Sequence, residues 1–155
     1  MTKPEDAAEA RRLLRLPRGS LGTLAERGSR IYPFVSLVLP AQSADGSADG
    51  DLILLLSDLS DHAKNLQRDP RASLLMDGTL ELKEPLTGPR LTLLGEVQVS
   101  REQQGDKACY LVVHPEAELY AGFGDFRFYR FRISEGLFVA GFGRIFRLKP
   151  EELKG

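Results

Sequence analysis

The chain has 155 residues, and its 21 Lys and Arg against 22 Asp and Glu leave a formal net charge of −1. That balance removes the electrostatic case for nucleic acid or a membrane surface as the main partner, and the length fits one domain, taken as residues 1–155, with a core of its own. A single cysteine, Cys109, excludes an internal disulfide and offers no metal-ligand spacing.

In chain order, "PEDAAEARRLLRL" from Pro4 to Leu16 combines helix formers with acids early and arginines late, so residues 1–18 are predicted to hold a helix ended by Pro17. This start has no apolar core of a signal peptide, and no apolar run in the chain reaches spanning length; a soluble, cytoplasmic protein is expected. "SLGTLAE" and "RIYPFVSLVLP", joined by "RGSR" with Gly28, predict a hairpin. Residues 41–50, "AQSADGSADG", carry no large side chain and predict a mobile loop that adds nothing to a core. The unbroken run Leu52–Leu56 predicts a strand buried on both faces, with one face expected to meet a partner subunit.

After that strand comes "SDLSDHAKNLQRDPRASLL", residues 57–75. Ser60, with Asp58 competing, is the candidate N-cap of a helix over about 61–68. A helix N-terminus presents unpaired N–H groups, and Ser57, Ser60, His62 and Lys64 would add donors, an inventory that suits a phosphate monoester. A capped surface helix explains the same residues without any ligand. Ser57, Asp61 and His62 lie too close on one helical turn to form a hydrolase triad, and no nucleophile-elbow pattern surrounds them.

"RASLLMDG" and "RLTLLGEVQVS" predict strands; in the second, Leu91, Leu93, Val97 and Val99 share one parity and Thr92, Glu96 and Gln98 the other. Residues 101–113 read as helical, and "HPEAELYAG" starts a short helix with Pro115 early. "FRFYRFRI" and "GLFVAGFGRIFRL" predict two closing aromatic strands. The glycines of "GFGDF" and "GFGR" suit turns or a close approach to another surface. Runs of strands without βαβ alternation point to a mainly β fold, an antiparallel barrel with peripheral helices.

The string at 57–75 resembles the S-x-L-x-x-H-x-x-N-L-x-x-D-P-R-x-S-L signature of the pyridoxamine 5'-phosphate oxidase-like FMN-binding split barrels, in the haem-utilisation (HugZ-type) branch. "YPFVSLV", "LTLLGEV", "HPEAELYAGFGDFRFYRF" and "FVAGFGR" are similar to that branch in the same order, so the likeness covers roughly residues 12–148. The resemblance implies a homodimer with cofactor clefts at its interface and a flavin-dependent oxidoreductase acting on a small molecule. It places FMN phosphate on Ser57, Ser60, His62, Lys64 and Asn65, with Asn65 alternatively bracing the helix. Ser36, Leu37 and Val38 would run under the flavin ring, Thr92 and Leu94 would line the cleft, and Phe142, Gly143 and Arg144 would approach from the partner. The chain lacks tryptophan and the C-terminal Arg-x-His of true pyridoxamine phosphate oxidases, which argues against vitamin B6 oxidation. The branch also implies haem binding or haem breakdown as an alternative, for which His62 and His114 are the only imidazoles, and a third reading is a non-enzymatic interaction protein.

Overall fold

A computed structural model describes residues 2–42 and 51–154. The predicted loop at 41–50 lies outside the described residues except for Ala41 and Gln42, which instead form a short strand.

Helix α1 (Pro4–Leu13) leads into the hairpin of β1 (Gly19–Arg27) and β2 (Arg30–Val38). Its turn is Gly28–Ser29, and Gly28 sits at φ 63°, where a β-carbon is disfavoured. Next come β3 (Ala41–Gln42), β4 (Leu52–Ser57), α2 (Asp61–Arg68), β5 (Arg71–Asp77) and β6 (Arg90–Val99). After a 3₁₀ stretch at Pro85–Thr87 between β5 and β6, the chain continues with α3 (Gln103–Val113), a second 3₁₀ stretch at Pro115–Leu119, β7 (Phe126–Gly141), β8 (Arg144–Leu148) and α4 (Pro150–Lys154). The first helix is shorter than predicted, because after Leu13 the amides of Leu14, Arg15 and Leu16 turn to carbonyls three residues back. The terminal helix α4 was not predicted; its Leu153 packs into the core, and Arg11 Nη1 donates to Glu152 O at 2.9 Å, tying it to α1.

All strand pairs are antiparallel, in the order β2-β1-β5-β6-β7-β4-β3, with β8 added to the far half of β7. β7 therefore pairs with β4 through its first half and with β8 through its second, so the sheet divides there and does not close: a split barrel. The predicted strand "FRFYRFRI" and the first part of "GLFVAGFGRIFRL" are this one strand of 16 residues, and the rest of the second, past the turn, is β8. The cause is a bulge. Leu94 pairs with Glu135 but Gly95 with Ile133, leaving Ser134 as the inserted residue, and the buried parity switches from Tyr129, Phe131 and Ile133 to Gly136 and Phe138. Gly95 is required opposite the bulge, since a β-carbon there would run into the carbonyl oxygen of Arg132.

The unbroken run of β4 is buried on both faces, as predicted. Leu52, Leu54 and Leu56 enter the main core with Leu21, Leu74, Leu93, Phe131 and Phe138. The opposite face, Ile53 and Leu55, packs on Ala41, Tyr110, Ala117 and Phe128. The cover expected from a partner subunit is thus supplied by the chain's own α3 and the 3₁₀ turn after it. Ala41 is only 1 % exposed, so it does join a core despite its small side chain.

Candidate functional site

The polar cluster sits where β4 ends and α2 begins. Ser60 is the N-cap: its backbone is extended (φ −74°, ψ 153°) and its Oγ accepts from Ala63 N at 3.3 Å. Asp69, extended ahead of Pro70, ends the helix. The buried face of α2 lies on the β1–β2 hairpin. Asn65 is 1 % exposed, its Nδ2 donates to Thr23 Oγ1 at 3.0 Å and its Oδ1 accepts from Arg68 at 2.9 Å. Asn65 therefore braces the helix, the alternative role stated for it above.

Most of the hydroxyls are turned inward. Ser57 Oγ donates to Asp125 Oδ2 at 2.6 Å and accepts from Leu59 N at 3.2 Å. Ser60 Oγ donates to the Ser57 carbonyl at 2.6 Å. Asp58, the competing cap candidate, does not cap the helix: Tyr129 OH donates to its Oδ1 at 2.7 Å. Arg127 Nε lies 2.8 Å from its other oxygen, an ion pair by distance although the N–H is not aligned on it. Burial first, and then the bond to Asp58, raises the Tyr129 pKa above its ordinary value, keeping the phenol a donor. Asp125, Arg127 and Tyr129 were missed in the sequence, where Asp125 showed only as the last polar residue of "GFGD".

His62 is different. It is half-buried, and its Nδ1 lies 2.8 Å from Ser36 Oγ on β2. No hydrogen bond engages its Nε2 among the described residues. Burial pushes the pKa of this ring below 6.5, with the charge of Asp61 opposing, so the imidazole is neutral near pH 7. Such a ring binds its proton less tightly folded than unfolded. Its contribution to stability is intact above pH about 6.5 and is lost as the pH falls from there toward the folded-state value. A His62→Gln variant should then give a flatter stability curve than the native chain in urea melts between about pH 7.5 and about pH 5. Parallel curves would contradict the buried neutral ring.

The other predicted site residues do not converge on this cluster within one chain. Ser36 pairs with buried Leu21 and faces α2, whereas Leu37 points to the opposite, outer face of the sheet and Val38 is buried. Thr92 and Leu94 lie on that outer face, in the rows Leu37–Ser20–Leu75–Thr92 and Val35–Gly22–Ser73–Leu94. Thr92 is three strands from Leu37, about 14 Å at the usual strand spacing. Phe142 is 83 % exposed on the β7–β8 turn, where Gly143 sits at φ 74°. Arg144 pairs with Asp6 of α1 in the same chain, Nη2 to Oδ1 at 2.6 Å. Lys64 is exposed and makes no ion pair among the described residues.

These positions test the two cofactors the resemblance implies. A phosphate monoester is poorly matched: Ser57 already serves a carboxylate, Ser60 is spent on the cap and Asn65 is buried against Thr23. A haem iron is matched by His62, a neutral imidazole with Nδ1 anchored on Ser36 and Nε2 without a hydrogen-bond partner among the described residues. His114 is no rival, being 3 % exposed with its Nε2 2.9 Å from the Pro40 carbonyl. Among the described residues no helix is long and apolar enough to cross a membrane.

The family model described as "CREG, beta-barrel" matches residues 1–153. The non-canonical heme oxygenase HOZ, chloroplastic, of Arabidopsis thaliana is 37% identical over 130 residues, 83% of this chain and 38% of HOZ. Heme oxygenase HutZ of Vibrio cholerae is 28% identical over 107 residues, 64% of this chain and 60% of HutZ. The chain thus spans less than two thirds of the length of either curated relative. A heme binding protein from Mycobacterium smegmatis superposes with TM-score 0.84 at 28% identity, covering 99% of this chain and 62% of that one. For the fold alone, a Clostridium acetobutylicum protein of the pyridoxinephosphate oxidase family has TM-score 0.69 at 15% identity, covering 98% and 99%. Its divided antiparallel sheet has the split-barrel fold of that pyridoxinephosphate oxidase family protein, and with a model match over nearly its whole length the chain belongs to the CREG beta-barrel family.

Proposed function

We propose that this chain binds haem and serves haem breakdown, with His62 as the residue that meets the iron. The observation that carries the reading is a half-buried, neutral imidazole whose Nδ1 is held by Ser36 and whose Nε2 has no hydrogen-bond partner among the described residues. The names of the two curated relatives, both heme oxygenases, and of the Mycobacterium smegmatis structure support it. Bound haem would supply the iron for oxygen chemistry; the protein's own part is to hold one imidazole nitrogen unprotonated and aimed. The flavin-dependent oxidoreductase reading finds less support, because three of the five side chains expected around an FMN phosphate, Ser57, Ser60 and Asn65, are committed to internal partners.

The test is a pair of absorbance titrations of the purified protein, one with haemin and one with FMN. A saturable Soret shift at one haem per site, with no flavin retained through gel filtration, is the expected result. Retained FMN without a Soret shift would overturn the proposal.

The homodimer implied by the resemblance also belongs to this proposal. The outer sheet face exposes Val35 (70 %), Leu37 (67 %), Leu94 (46 %) and Leu75 (37 %), an apolar surface suited to covering by a second copy in a self-complementary contact. Light scattering is expected to give the mass of two chains for the native protein. A Leu37→Asp variant should give the mass of one with its circular dichroism unchanged. A native protein of single-chain mass would refute the dimer.

A further inference from the structure

We infer that Ser36 is a positioning residue that selects the tautomer of His62, accepting a hydrogen bond from Nδ1–H and so leaving the Nε2 lone pair facing outward. The inference rests on the haem reading for its consequence, but its structural content stands without haem.

Ser36 and His62 come from different elements, 26 residues apart, and meet at 2.8 Å in a part-buried contact. Ser36 lies between Val35 and Leu37, which point to the other face of β2, so strand alternation aims its hydroxyl at α2. The helix in turn is fixed on the same hairpin by the buried Asn65–Thr23 bond. Both partners are thus held by the fold. A neutral imidazole has one N–H and one lone pair, and the bond made by one nitrogen decides which of them the other presents. A serine hydroxyl can accept from Nδ1–H, and then Nε2 is a ligand; it can also donate to Nδ1, and then Nε2 is a donor. Only the first arrangement leaves a metal-binding nitrogen at the site. Partners of this kind, bonded to the far nitrogen of a ligating histidine, hold the ring in orientation and raise its basicity, and removing them lowers metal affinity by about 10–100-fold.

The experiment has two independent arms. In the haem-free protein, nitrogen chemical shifts of the His62 ring are measured above its titration range in the native chain and in Ser36→Ala and Ser36→Thr. The native ring and Ser36→Thr should carry the proton on Nδ1, and Ser36→Ala should shift toward the Nε2–H form. A native ring protonated on Nε2, or one unaffected by Ser36→Ala, would overturn the inference. In the second arm, haemin titration should show an affinity loss of about 10–100-fold in Ser36→Ala, recovered in Ser36→Thr. If His62→Ala leaves haem binding and its spectrum intact, the haem reading fails while the tautomer result stands. If His62→Ala abolishes binding but Ser36→Ala changes neither tautomer nor affinity, the positioning role alone fails.

Discussion

A Leu54→Asp chain is expected not to fold. Leu54 has no exposed surface, lies in the main core and pairs in register with Tyr129 on β7, the strand at which the sheet divides. A carboxylate there has no partner and no water, a cost of several kcal/mol against a total stability on the order of 5–15 kcal/mol. The milder Leu54→Ala change isolates packing and should cost about 2–5 kcal/mol. At roughly 2–4 °C per kcal/mol for a chain of this size, its melting temperature should fall by roughly 5–20 °C. Circular dichroism melts of both variants check this; a Leu54→Asp protein with a native, cooperative melt would show that the face is not core.

Removing the imidazole in His62→Ala should weaken haem binding by more than the roughly 10–100-fold typical of losing a supporting hydrogen bond, because the ligand itself is gone. The fold should persist, since the N-cap of Ser60 and the Asn65–Thr23 bond that fix α2 do not involve the ring. His114→Ala gives the opposite pattern. That ring is buried against Tyr110 and bonds the Pro40 carbonyl, so its loss should lower stability and leave the haem spectrum as it was. Equal loss of haem affinity in both variants would contradict the assignment.

The parts of the fold legible in the sequence are those set by local pattern. Gly28 between two strand-like segments marks the hairpin, the run Leu52–Leu56 marks a strand buried twice, and Ser60 before Asp61 marks a helix start. What covers the second face of β4 was not legible, because Leu55 and Tyr110, which share one buried cluster, lie about a third of the chain apart. Nor was the continuity of β7: the bulge at Ser134 reverses the alternation on which strand reading depends, and one long strand presents itself as two. The candidate site was legible as a list of residue types and not as an arrangement. Whether Ser57 points to a ligand or to Asp125 is decided by a residue 68 positions away, and whether Arg144 reaches out or pairs with Asp6 by one 138 positions away. His62 showed in the sequence as one donor among several; burial and the contact with Ser36 set it apart.

The most direct test of His62 as the iron-bearing residue is the electron paramagnetic resonance spectrum of the haem-loaded protein, recorded for the native chain and for His62→Ala. The account predicts a ferric signal with histidine nitrogen coupling in the native chain that disappears in the variant. A histidine-ligated signal that survives in His62→Ala would contradict it.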